Sequence, residues 1–306
     1  MARQLRMEYE GAVYHVINRG NYRRDLFETA GAAQSFVGAL EEAVQRYEWR
    51  LQAYVLMINH FHLVVETPHP NLQEGMHWLL STTATRFNRF RQERGHLFQG
   101  RYQALPIEDS RLMGHVIDYV HLNPARAGVV AADQLSAFRW SSLSRFVRGP
   151  RFTGLEPEGA LNGHGLQDTP AGWADYLQNL VRLANDKAEQ KRLGHDGFCK
   201  GWAIGTAGWR RALAKEYASS SLTPGLAAHT LKELREVRWT AFTDRALLAA
   251  GKTRQEAISG RKTELWKLEL AQQIRDGCGA SVAWLAKELR LGTDATARSL
   301  LSKLKK

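Results

Sequence analysis

The chain has 306 residues, 44% of them apolar, with 42 Lys and Arg against 31 Asp and Glu for a formal charge of +11. This length and apolar fraction allow two packed domains, and no run approaches the roughly eighteen apolar residues of a membrane span. Cys199 and Cys278 are the only cysteines and form no C-x-x-C pair, which argues against a disulfide framework or structural zinc; the start also lacks the apolar core of a signal peptide, so a cytoplasmic location is expected.

Residues 12 to 18 read as a first strand, ending in the turn Asn18-Arg-Gly-Asn21. Residues 31 to 47 read as a helix, with Phe36, Leu40, Val44 and Tyr47 on one face. The run Tyr54-Val-Leu-Met-Ile-Asn-His-Phe-His-Leu-Val-Val65 is rich in β-branched and aromatic residues and belongs to two strands, 51 to 57 and 60 to 67. Side chains alternate along a strand, so His60 and His62 project from one face while Phe61 points into apolar packing. Two imidazoles at that spacing can ligate one divalent cation; two half-exposed strand histidines would give the same text.

Asn71 opens a long helix, with Glu74 placed as in a capping box and Leu72, Met76, Leu79, Thr83, Phe87 and Phe90 on its inner face. A fourth strand covers 102 to 107. Ser110 is a plausible N-cap for a helix in which Leu112, Val116, Ile117 and Val120 recur at helical spacing. Pro124 kinks or ends its regular part, and Gly128 is a natural stop. Tyr119 and Asn123 are four apart and share one face, with His115 on the same stripe a turn earlier. The order βαββαβ matches the split ferredoxin-like arrangement, an α+β fold.

Two basic clusters lie in this near-neutral part: Arg19, Tyr22, Arg23 and Arg24 in the first turn, and Arg86, Arg89, Arg91 and Arg94 along the long helix. Arginine with aromatic residues suits single-stranded nucleic acid, where bases stack and phosphates need counter-charge; Arg101 joins the candidate contacts. Residues 149 to 170 are Gly- and Pro-rich and read as a loop with His164 exposed, 172 to 193 as helical, and 197 to 209 receive no assignment. Residues 200 to 306 hold 20 Lys/Arg against 10 Asp/Glu, the footprint of a phosphate-binding region. Within it, Ser281 to Gly292 reads as a capped helix and Thr293 caps a second, 294 to 305. That pair looks like a helix-turn-helix with Arg298 and Lys303 outward.

Five ordered blocks carry a resemblance: Tyr14-His-Val-Ile-Asn-Arg-Gly-Asn21, Met57-Ile-Asn-His-Phe-His-Leu-Val64, Phe98-Gln-Gly-Arg-Tyr102, Tyr119-Val-His-Leu-Asn-Pro-Ala-Arg-Ala-Gly128 and Trp140-Ser-Ser142. Together they resemble the single-tyrosine HUH transposases, IS200-like, and especially the REP-associated tyrosine transposases, over roughly residues 8 to 150. The resemblance implies an α+β, ferredoxin-like HUH catalytic domain at 1–148. A Gly/Pro-rich linker and helical connector at 149–199 and a basic, all-α DNA-binding region at 200–306, with the helix-turn-helix at about 281–305, would complete the chain. It implies His60, His62 and Asn123 as ligands of Mg²⁺ or Mn²⁺ and Tyr119 as nucleophile. The expected partner is single-stranded DNA with REP-like hairpins, bound by a monomer or homodimer, with no membrane partner.

The chemistry suits these residues. A cation beside a phosphodiester polarises phosphorus, and Tyr119, with an ordinary pKa of about 10, must lose its proton as it attacks. His115 is a candidate acceptor of that proton, although a helix-packing role would also explain it. The expected product is a 5′-phosphotyrosine and a free 3′-hydroxyl, from which strands can be rejoined without ATP. The rival readings are a domesticated, non-catalytic DNA- or RNA-binding regulator and a metal phosphoesterase that uses water.

Overall fold

The structure, a computed structural model, describes residues 7–218 and 232–304. The chain forms two compact units, Arg6–Thr206 and a second made chiefly of Ala207–Lys306. In the first, β1 (Ala12–Arg19), α1 (Ala30–Arg46), β2 (Arg50–Met57), β3 (His60–Thr67), α2 (Leu72–Arg91), β4 (Gln103–Pro106) and α3 (Ser110–Arg126) follow one another. The strands form one antiparallel sheet in the order β2-β3-β1-β4. This is the α+β arrangement that the alternation of periods predicts, with α3 added.

Each face of the sheet is covered. Phe61 of β3 meets Phe36 of α1 at 4.8 Å between ring centroids, so α1 packs on the face that Phe61 occupies. His62, the next residue, meets Tyr119 of α3 at 5.8 Å on the opposite face. Burial on both sides explains why β2 and β3 are nearly continuous apolar runs rather than alternating ones. It also places the two histidines in the layer between sheet and α3.

Several local expectations change. Asp109, not Ser110, caps α3, its carboxylate accepting from the Leu112 N–H. The helix runs through Pro124 to Arg126; a proline in the last turn removes a single backbone bond and leaves the rest intact. Asn71 forms no capping box, because its side chain accepts from Trp49 Nε1 and donates to the Tyr47 carbonyl. Phe90 is exposed and lines an open apolar groove with Phe87 and Phe98.

Residues 149–199 pack on the first unit instead of linking two others. After α4 (Ser142–Arg148) come α5 (Glu158–Asn162), α6 (Pro170–Asn185) and α7 (Lys187–Arg192). Trp173, Tyr176 and Leu180 of α6 join the same core. Tyr176 donates to the buried Asp118 carboxylate of α3 at 2.9 Å, and His121 of α3 bonds both Tyr176 and Ser142 at 2.8 Å. His164 is not solvent-exposed as expected: its Nε2 lies 3.1 Å from Asp118, and that partner raises its pKa. The glycines that suggested flexibility serve close approach here. Gly154 has φ +86°, and a Cβ there would come within 2.5 Å of Val44.

The unassigned stretch finds its place at the sheet edge. Ile204 donates to the Pro106 carbonyl at 2.8 Å and accepts from Glu108 N–H at 3.0 Å, extending the sheet beyond β4. This tether carries Phe198 and Cys199 to α3.

The second unit contains α8 (Ala207–Ala218), α9 (Lys232–Ala249), α10 (Arg254–Ser259), α11 (Leu265–Cys278), α12 (Val282–Glu288) and α13 (Asp294–Lys303). Its own core includes Trp239, Leu268, Ile274, Leu285 and Leu301. Ser281 and Thr293 cap α12 and α13 with side-chain oxygens, as their residue types predict. Among the described residues no helix is long and apolar enough to cross a membrane.

Candidate active site

His60, His62, Tyr119 and Asn123 line one open cleft of about 750 Å³. β3 delivers the histidines one pleat apart, with ring centroids 5.2 Å apart, and α3 delivers Tyr119 and Asn123 one turn apart. Strand register adds a residue that local spacing does not reveal. His62 pairs with Ile17 and Val64 with His15, so His15 lies diagonally across from His62 on the same face.

Hydrogen bonding fixes the tautomers. His15 Nδ1 lies 2.9 Å from the Phe198 carbonyl, which can only accept, so Nδ1 carries the proton. Burial lowers the His15 pKa to about 4, which keeps the ring neutral and leaves a lone pair on Nε2. That atom is 3.0 Å from His62 Nδ1, which must therefore donate. Burial, then the charges of His15, His60 and Arg126, hold His62 well below the usual range, so its Nε2 bears a lone pair. His60 is lowered by burial and by Arg19, and its Nδ1 donates to Asn59 Oδ1 at 2.8 Å. Both histidines are thus neutral imidazoles with Nε2 free to ligate, each oriented through its other nitrogen as metal-binding histidines usually are. Asn123 donates through Nδ2 to the Tyr119 carbonyl at 2.9 Å, leaving Oδ1 as an oxygen ligand. Two nitrogens and one amide oxygen are a donor set that could hold a divalent cation.

Tyr119 is 8% exposed. The rings of His195 and Phe198 meet it edge-on at 5.6 and 5.7 Å, and the Arg126 guanidinium lies 4.6 Å over it. Its hydroxyl is 3.0 Å from Cys199 Sγ. Burial and Cys199 push the phenol pKa up, while Arg126 opposes them. The hydroxyl therefore stays protonated at neutral pH, and the fraction of phenolate grows as pH rises toward the raised pKa. If phenolate attacks, single-turnover rates should climb about tenfold per pH unit from 7 to 9; a plateau near pH 7 would contradict this. His115 is half-buried, does not line the cleft, and has Asp118 and Arg111 as charged neighbours.

The cleft also presents positive charge. Arg19, Arg23 and Arg101 line it, and among the described residues no carboxylate does. Tyr22 and Arg23 both have left-handed backbone, φ 53° and 59°, an uncommon state for bulky residues. Tyr22 is 92% exposed beside them. The turn depends on Gly20, where a Cβ would meet the Arg24 carbonyl at 2.2 Å. Asn18 Oδ1 accepts from the Arg19 N–H, while its buried Nδ2 has no partner among the described residues. Other predicted contacts are placed differently. Arg24 pairs with Glu93 and Arg86 with Glu42, the latter at 2.9 Å, so neither is an unpaired cation. Arg89 is exposed on α2, outside the cleft lining. Arg298 pairs with Asp294 at 2.7 Å and Lys303 is exposed, both on α13.

Sequence reasoning missed His15, Arg126 and Cys199. His15 and Arg126 lie inside quoted motif blocks, where their residue types were the available signal. Cys199 is 80 positions from Tyr119 and carried no local signal.

Residues 8–123 match the family model described as IS200-like transposase. Among solved structures, the chain is similar to a REP-associated tyrosine transposase bound to a REP hairpin. That likeness has 21% identity and a TM-score of 0.41, and covers 51% of this chain and 89% of the other. A protein described as a transposase from Deinococcus radiodurans R1 is similar at 18% identity and a TM-score of 0.29, over 42% of this chain and 92% of the other. No curated protein matches. The segment that builds the sheet and carries His60, His62, Tyr119 and Asn123 is therefore the part of the chain that is similar to IS200-like transposases.

Proposed function

We propose that this protein is a metal-dependent endonuclease and strand transferase for single-stranded DNA, acting at REP-like hairpins. The observation that carries the reading is the convergence of a tyrosine hydroxyl, two neutral imidazoles and an amide oxygen in one cation-lined cleft. His60, His62 and Asn123 would hold Mg²⁺ or Mn²⁺, which supplies charge against a non-bridging phosphate oxygen. Arg19, Arg23 and Arg101 hold the backbone, and Asn18 Nδ2 has a donor to spare for a phosphate oxygen. Tyr119 Oη, freed from Cys199 and stripped of its proton, attacks phosphorus. The bond from phosphorus to the 3′-oxygen breaks, that oxygen takes up a proton, and the 5′-phosphate remains on the tyrosine. A second 3′-hydroxyl reverses the step and rejoins strands. The rim of the cleft, with exposed Tyr22 beside Arg23, suits an unpaired base next to a phosphate.

The test is incubation of the full chain with single-stranded oligonucleotides carrying REP-like hairpins, with Mn²⁺, Mg²⁺ or chelator. Denaturing gels should show a metal-dependent protein–DNA adduct and a free 3′-ended fragment. Cleavage without an adduct would favour the water-using phosphoesterase.

The basic C-terminal unit is read as a second DNA contact through α12 and α13. Arg298→Ala with Lys303→Ala should weaken hairpin binding and lower the slope of log K against log salt by about 2, one per lost phosphate contact. An unchanged slope would remove α13 from the interface.

A further inference from the structure

We propose that His15, His62 and Cys199 form a second metal site, selective for a zinc-type cation, which shares His62 with the nucleophile cleft. One donor atom from each of the three lies within 4.8 Å of the others. They come from β1, from β3 and from the segment after α7, which the edge contact at Ile204 holds in place. A four-coordinate ion with bonds of about 2.1 Å to nitrogen and 2.3 Å to sulfur separates its donors by about 3.5 Å. His15 Nε2 and His62 Nδ1, now 3.0 Å apart, must open by about half an ångström, and the sulfur must close on them.

The donor set decides the cation. Two imidazoles and a thiolate favour zinc-type ions over Mg²⁺. The Phe198 carbonyl holds the proton on His15 Nδ1 and so keeps the Nε2 lone pair turned to the site. On binding, Cys199 releases its thiol proton to solvent. The His62 proton moves from Nδ1 to Nε2, and Nδ1 becomes the ligand. A fourth position stays open for water. The bound thiolate accepts a hydrogen bond from Tyr119 Oη, its neighbour at 3.0 Å, so the nucleophile keeps its proton. With Nε2 protonated, His62 cannot serve a cation held with His60. This exclusion rests on the function proposed above, whereas the site itself does not.

The test is a titration of the metal-stripped, reduced full-length protein with Co²⁺, read by the near-ultraviolet thiolate-to-cobalt charge-transfer band. One equivalent should produce the band, and Zn²⁺ should abolish it by displacement. Cys199→Ser should lose the band while Cys278→Ser and His60→Ala keep it, and His15→Ala should weaken affinity by about tenfold or more. Circular dichroism of Cys199→Ser and His15→Ala should match the parent, so a lost band reports ligation and not unfolding. No band in the parent, or a band that survives Cys199→Ser, would overturn the proposal. The band reports a metal–sulfur bond without DNA, so the two readings fail separately: a band together with no cleavage by the metal-stripped protein resupplied with Mn²⁺ would sink the nuclease reading and leave this site standing.

Discussion

Tyr119→Phe should abolish the covalent adduct, on the order of a thousandfold or more in rate, while hairpin affinity stays within about twofold. The substitution removes one oxygen that bonds Cys199 and Arg126, and the ring keeps its edge contacts with His62, His195 and Phe198 and its place under Arg126. Losing those bonds costs on the order of 1–3 kcal/mol of stability, too little to unfold the domain. What disappears is the proposed nucleophile. An enzyme that used metal-activated water would keep most of its activity in this variant, so one substitution separates the two chemistries. Adduct formed at an undiminished rate would refute the assignment of Tyr119.

His15→Leu carries the second large expectation, because it acts on His62 without being one of the three proposed cleft ligands. Leucine removes the acceptor for His62 Nδ1–H and leaves a buried donor unpaired, a penalty of about 1–3 kcal/mol. The ring then regains the choice of tautomer, and the Nε2 lone pair is no longer enforced. Affinity for Mn²⁺, measured by electron paramagnetic resonance without DNA, should fall by about 10- to 100-fold. Cleavage should recover at saturating Mn²⁺. His15→Gln, whose amide oxygen can accept the same proton, should recover part of the affinity. A merely structural role would predict lowered melting for both variants with parental Mn²⁺ affinity in the folded fraction, and that result would count against the tautomer argument.

What the sequence disclosed and what it hid divide along one physical line. Features set by local periodicity were legible: the βαββαβ order, the shared face of His60 and His62, and the turn that joins Tyr119 to Asn123. Even Thr293 and Ser281 announced their helices, because an N-cap is satisfied within three residues. Features set by pairing between distant segments were not. His15 meets His62 only because β1 and β3 adopt one register out of several, and a slip of one residue would turn it to the other face. Cys199 reaches Tyr119 because Ile204 extends the sheet edge, a contact with no sequence period. The Gly- and Pro-rich stretch after residue 148 misled for the same reason: Gly154 fits against Val44 in the folded core, and composition alone cannot tell a close approach from a flexible tether. The ion pairs of Arg24 and Arg86 likewise depend on acidic partners many positions away.

In the proposed reaction Tyr119 bonds covalently to DNA in a metal-dependent step. The most direct measurement is mass spectrometry of the adduct after protease and nuclease digestion, with Mn²⁺ and with chelator. The expected result is a nucleotide 5′-phosphate on the peptide that contains Tyr119, present with metal and absent without it. A phosphopeptide at another residue, or tight hairpin binding with no adduct under either metal, would contradict it and favour a DNA-binding regulator built on the same fold.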